Sequence, residues 1–273
     1  MVLKKVFSAA AVGLSLIAAV PAQAATILTP DGNFNFTGFD WSQSGTAFTT
    51  GFAPVNNSLF TIDAFAVAIA VTNGAINLPT PNLDTNADGV DTGYQYTLVV
   101  HLNEQVQGCL GTTCAFNILS GSYSIFYDLA SDANATPGSL GTGFGGIPAQ
   151  LLLSGSVGPQ VGGSFTATSG TSGFGFTPLL GTVDYTNLAF INQELTSTVA
   201  GTTLQLGSFT TNGYVSPGGF DGVAFPAATP GFGTIVFQAD ANQSFSVPEP
   251  ASLALFGIAM LAGGTASRRR IKK

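Results

Sequence analysis

The sequence predicts an all-β chain: one antiparallel β-sandwich or jelly-roll-like domain over residues 25–246, with an N-terminal signal helix before it and a C-terminal transmembrane helix after it. Three observations carry that expectation. Between the terminal segments, short stretches alternate apolar and polar side chains with a period of two, which turns one face of an extended strand to a core and the other to water. Clusters of Gly, Pro, Asn, Asp and Ser separate those stretches and supply the turns. The composition agrees, being rich in Gly, Thr, Ser, Asn and Phe, with 35 Gly and 22 Phe.

Taken in order, residues 1–24 place Lys4 and Lys5 before an apolar run from Val6 to Val20 and close on Ala22-Gln23-Ala24. That is the anatomy of a secretory signal peptide cut after Ala24, and the run is shorter than the ~20 residues of a membrane span. Signal peptidase is thus the first expected partner, and the mature chain begins near Ala25 outside the cytoplasm. FNFTGFDW is the first strand candidate, followed by LFTIDAFAVAIAV from Leu59. The AFAVAIAV portion lacks a polar face and reads as a central strand covered on both sides. In GYQYTLVVHL, Tyr94, Tyr96, Leu98, Val100 and Leu102 share one face, while Gln95, Thr97, Val99 and His101 share the other. GSYSIFYDL repeats the pattern with Tyr123, Ile125, Tyr127 and Leu129.

Cys109 and Cys114 lie between those two strands, flanking Leu110-Gly111-Thr112-Thr113. In an oxidising compartment they are expected to form a local disulfide that clips a hairpin. The remaining strand candidates are QLLLSGSV from Gln150, TVDYTNLAF from Thr182, TLQLGSFTT from Thr203 and GTIVFQADANQSFSV from Gly233. GSLGTGFGG and TSGTSGFGF are rich enough in Gly and Ser to read as long, mobile loops.

The charge distribution narrows the function. All seven Lys and Arg lie at the ends, at Lys4, Lys5, Arg268, Arg269, Arg270, Lys272 and Lys273, whereas the 14 carboxylates run from Asp31 to Glu249. The body is therefore expected to be a polyanion without a side-chain ion pair. A surface lacking Lys and Arg cannot neutralise phosphates or release their counterions, which excludes nucleic acid as a partner. It does attract divalent cations outside the cell, and calcium is the candidate cofactor.

The stretch Asp84-Thr85-Asn86-Ala87-Asp88-Gly89-Val90-Asp91 carries oxygen ligands at alternate positions and Gly at the sixth, as in the first half of an EF-hand-type calcium loop. Asp84, Asn86, Asp88 and Asp91 are its candidate ligands. Its twelfth position is Gln95, where that loop carries a bidentate Glu, and a strand follows in place of a helix. A calcium-stabilised loop and an ordinary solvated turn both fit the pattern. His101 raises the thought of a Ser-His-Asp triad, but no nucleophile-elbow motif accompanies it. Glu104 and Glu194 are the pair of carboxylates that a glycoside hydrolase would need. Trp41, the sole tryptophan, is the candidate for stacking on a sugar.

The chain ends with Val247-Pro248-Glu249-Pro250, an apolar run from Ala251 to Ala266, and the basic cluster Arg268, Arg269, Arg270, Lys272 and Lys273. A helix of 16 residues rises about 24 Å and spans a bilayer marginally, with the basic tail held on the cytoplasmic side. These residues, 247–273, resemble the PEP-CTERM sorting signal. The resemblance implies an exosortase as processing enzyme and cleavage near Val247 to Pro250. It also implies export across the inner membrane, a transient membrane anchor, and delivery to the cell surface or extracellular matrix. The body has a looser resemblance to Gly/Thr-rich, Lys-poor domains of such surface proteins, some associated with flocculation. The expected function is non-enzymatic, in exopolysaccharide-associated aggregation, biofilm or floc formation. A carbohydrate-binding, lectin-like module is the alternative, and a secreted hydrolase the third reading.

Overall fold

The computed structural model describes residues 25–86, 93–129, 133, 149–169, 172–211, 214, 216, 219–220, 223–224 and 233–248. The expected signal and transmembrane helices lie outside them, as does GSLGTGFGG. In chain order the strands are β1 (Ala25–Thr29), β2 (Gly32–Phe36), β3 (Gly38–Trp41), β4 (Gly45–Phe52), β5 (Leu59–Asn73), β6 (Ile76–Asn77), β7 (Gln95–Leu110), β8 (Thr113–Asp128), β9 (Gln150–Val157), β10 (Gln160–Ser169), β11 (Ser172–Thr186), β12 (Ser197–Leu206), β13 (Gly219–Phe220), β14 (Val223–Ala224) and β15 (Gly233–Ser246). A single turn of 3-10 helix, Gly207–Phe209, follows β12. These strands fall within one compact unit, Ala25–Val247.

The main sheet closes on itself. β3 and β4 run end to end as one interrupted strand between β15 and β5. From there the ladder passes β5 to β7 to β8, all antiparallel. β9 and β10 again act as one long strand, lying against β8 on one side and β11 on the other. β11 pairs with β12, and β12 with β15, which completes the ring. This is an antiparallel meander barrel, whereas a jelly roll needs long crossing connections. The all-β, antiparallel expectation holds and the two-sheet layout does not. Alternation identifies strands and their inward faces, but the choice between stacking two sheets and joining their edges leaves no mark on it. Closure removes the open edges along which such Thr- and Val-rich strands would pair with other chains.

Inside the ring the residues grade from large to small and back. At the end where the chain enters and leaves, Phe36, Phe39, Trp41, Tyr96 and Phe245 pack ring against ring. The β1–β2 hairpin adds Ala25 and Ile27 to this plug, with Ile27 bridged to Ile191. At the waist, Ala47, Ala64, Ala66, Ala200 and Ala239 leave a cavity of about 70 Å³. At the far end Phe52, Phe60 and Phe116 meet edge to face. An eight-position ring is just wide enough for side chains to fill, so this grading decides where space remains.

Local expectations are met in most strands. Tyr94, Tyr96, Leu98, Val100 and Leu102 are all buried on the inner face. Phe65, Ala66, Val67 and Ala68 are buried in succession, as expected of a covered central strand. The β7–β8 hairpin turns through Gly111 and Thr112, with Gly111 at φ 61°, the positive angle that a II′ turn needs at its first central residue. The Cys109–Cys114 disulfide joins directly opposed residues just inside it.

Three expectations need correction. TSGTSGFGF is not a long loop, since most of it belongs to the β10–β11 hairpin. Gly173 and Gly175 make room there for the Phe165 ring, because a Cβ on either would come within 2.5 and 2.8 Å of that ring. Leu129 lies beyond the end of β8 and is exposed. TVDYTNLAF leaves the strand at Thr186, where Asn187 caps a turn, its side chain accepting from Ala189 N–H and donating to the Leu151 carbonyl.

Candidate functional site

Asp84 is where the sequence-predicted calcium loop meets the barrel. Asp31, in the turn between β1 and β2, accepts hydrogen bonds from the Asn82 N–H and the Tyr94 hydroxyl, each at 3.1 Å, and from the Asn82 side-chain amide. Burial pushes the Tyr94 hydroxyl well above its ordinary pKa, so it remains a donor to Asp31. The clamped segment then runs parallel to the start of β7. Tyr94 N–H donates to the Asn82 carbonyl at 3.1 Å, and Asp84 N–H to the Tyr94 carbonyl at 2.7 Å.

This bridge sets the faces. Leu83 and Tyr94 turn into the core together, so alternation places Asp84 and Gln95 side by side on the opposite face. Across the next ladder Gln95 stands directly opposite Asp128. All three are buried, and Gln95 is 0% exposed. Both amide atoms of Gln95, and the Thr97 hydroxyl two residues along on the same face, have no hydrogen-bond partner. The Asn86 N–H donates to Asp84 Oδ1 at 3.2 Å. Asp88 and Asp91 lie outside the described residues. Sequence reasoning included Asp84 and Asn86 but missed Asp128, 33 positions beyond Gln95. Gln95, the twelfth position of the loop pattern and also the first outer-face residue of the expected strand, opens β7.

His101 lies on the outer face of β7 between Asp63 of β5 and Ser122 of β8. Its Nδ1 is 2.6 Å from Asp63 Oδ1. It is the one such contact among the described residues, an ion pair only when the imidazole is protonated, and a count of Lys and Arg alone overlooks it. The Asp-His-Ser row lies across the open face of a sheet with ladders on both sides. Backbone N–H groups there are committed to neighbouring strands, so the row lacks the converging donors that stabilise an oxyanion. Glu104 is buried on the inner face, directly opposite Phe60 and Ile118, while Glu194 is exposed on the segment before β12. They do not flank a common cleft. Neither Glu104 oxygen has a partner, and burial pushes its carboxyl up to about 8.

Trp41 is 0% exposed, and its Nε1 donates to Gln243 Oε1 at 3.1 Å. It is a core residue, which removes it as a sugar-stacking surface. Exposed aromatics occur instead on the outer face of β11, where Phe174 and Phe176 stand two residues apart and Phe174 packs on Phe209 at 5.3 Å between centroids. Leu180 and Val199, opposed in the β11–β12 ladder, extend this apolar strip.

At the C-terminal boundary β15 stops at Ser246 and Val247 still packs against the core. Pro248 is the last described residue; Glu249, Pro250, Arg268, Arg269 and Arg270 lie beyond. Residues 246–270 match the PEP-CTERM protein-sorting motif. The chain thus carries the sorting signal of exosortase substrates, which implies export, association with the cell surface, and an exosortase as processing partner. Comparison with curated proteins and with solved structures gives no match.

Proposed function

We propose that this chain is a non-enzymatic surface or extracellular-matrix protein, freed by exosortase cleavage near Val247 to Pro250, that promotes exopolysaccharide-associated aggregation, biofilm or floc formation. The observation that carries this reading is the junction itself. The sorting motif begins at residue 246, where β15 ends, so a cut at Val247 to Pro250 removes the tail without taking a strand from the barrel. The body that remains has no Lys or Arg, which keeps it soluble and leaves it free to interact with polysaccharide through cations or apolar surface. Deleting residues 247–273 tests the routing: the expected strain secretes the barrel but loses cell aggregation, and unchanged aggregation contradicts the proposal.

A second reading, carbohydrate binding, gains support from the exposed Phe174, Phe176 and Phe209 strip, because aromatic faces stack on sugar rings. Its test is binding of the producing cells' own polysaccharide. Phe174→Ala with Phe176→Ala abolishes that binding if the strip is the site, while both variants keep the wild-type melting temperature.

A further inference from the structure

We infer that a hollow on the outer face of β12 and β15, together with the Phe174 and Phe176 rings beside it, binds a neutral saccharide chain. The inference rests on the carbohydrate-binding reading and supplies its polar half. Strand register sets the two halves side by side. In one row Phe174 of β11 stands opposite Gln205 of β12, and Gln205 opposite Gln238 of β15; in the next, Phe176 stands opposite Thr203, and Thr203 opposite Asp240. The intervening Leu204, Phe237 and Ala239 turn into the core, so alternation puts Thr203, Gln205, Gln238 and Asp240 on the outside. Each row crosses two strand spacings, about 10 Å, which lets one saccharide touch rings and polar groups together.

The hollow, about 90 Å³, is lined by Gln43, Thr203, Gln205, Thr211, Gln238 and Asp240. Its walls are fixed before any ligand arrives, because the buried Gln238 accepts from the Thr211 N–H and donates to the Gln43 carbonyl, each at 2.6 Å. Just beyond Thr211, the Tyr214 hydroxyl lies 3.0 Å from Thr46 Oγ1 and donates to the Phe237 carbonyl at 3.2 Å, which anchors that segment on the barrel. Thr203 and Gln205 both donate and accept, and Asp240 accepts, which complements the hydroxyl edge of a sugar. Phe174 and Phe176, 48% and 49% exposed, offer faces on which a sugar ring stacks. Charge selects a neutral chain: Asp240 is the one ionisable group lining the hollow, Asp40 adds its charge nearby, and no Lys or Arg between residues 6 and 267 can pair with a uronate.

The test is calorimetric titration of the exported chain, in the presence of a chelator, with the producing cells' polysaccharide separated by anion exchange into neutral and acidic fractions. Wild type should bind the neutral fraction and not the acidic one. Thr203→Val combined with Gln205→Leu should weaken that binding about tenfold or more at an unchanged melting temperature. Asp240→Ala should do the same, and decides the matter if the double variant does not fold. If neither fraction binds, the carbohydrate-binding reading falls and the site with it. If the neutral fraction binds, and Phe174→Ala with Phe176→Ala abolishes this while the hollow variants bind in full, that reading stands and the hollow is overturned. Equal binding of the acidic fraction overturns the neutral-saccharide assignment.

Discussion

At the end of the barrel where the chain enters and leaves, polar groups are buried in company: Trp41 bonds to Gln243, Tyr94 to Asp31, and Asp84, Gln95 and Asp128 stand in a row. At the disulfide end Glu104 is buried among Phe60, Ile118 and their neighbours with no partner at all. The contrast is between polar groups buried beside one another and an acid buried without a donor. A carboxyl buried without a donor gives up its charge, as Glu104 does.

The largest effect expected from breaking this contrast is at the first end. Trp41→Ala removes the centre of the aromatic plug and leaves Gln243 without its indole donor, costing about 3–5 kcal/mol in denaturant unfolding. The next is a pH effect at the other end. Glu104 keeps its proton in the folded chain up to about pH 8 but loses it near 4.5 when unfolded. The folded state therefore binds the extra proton between those values, and stability falls by about 1.4 kcal/mol per pH unit across that window, with no further loss above it. Glu104→Gln should flatten this slope in urea melts from pH 5 to 8, and an unchanged slope would place its origin elsewhere.

The two effects rest on residues that differ in how far the sequence foretells their surroundings. Alternation along GYQYTLVVHL identified the inner face of β7, and the Cys109 to Cys114 spacing identified its hairpin, because both are local patterns. Glu104 continues the inner-face series of β7, so its burial follows from a two-residue count carried past Leu102. Gln95 and Trp41 are different. Gln95 meets Asp128 only through the β7–β8 register, and Trp41 meets Gln243 through closure of the barrel, a contact 202 residues apart in sequence. Ring closure likewise depends on β3 with β4, and β9 with β10, each acting as one strand. Interruptions at Ser42 to Ser44 and at Gly158 and Pro159 conceal this in the sequence. The sorting motif, by contrast, was legible in the sequence, since it is defined by order and composition alone.

Smaller effects sharpen the comparison. Replacing Cys109 and Cys114 by Ser should cost about 2 kcal/mol in denaturant unfolding, because the closed loop is short. Asp31→Ala should cost about 1 kcal/mol by releasing Asn82 and Tyr94. A Cys pair variant or an Asp31 variant as stable as wild type would contradict this ordering.

The most direct measurement is the intact mass of the protein recovered from producing cells and their medium. Trypsin is unsuitable because no Lys or Arg lies between residues 6 and 267, so intact mass or an Asp-directed protease is required. The expected species begins near Ala25 and ends within Val247 to Pro250, a complete barrel without its tail. A protein that retains Arg268 to Lys273 would contradict processing at the sorting motif and make the tail a permanent anchor.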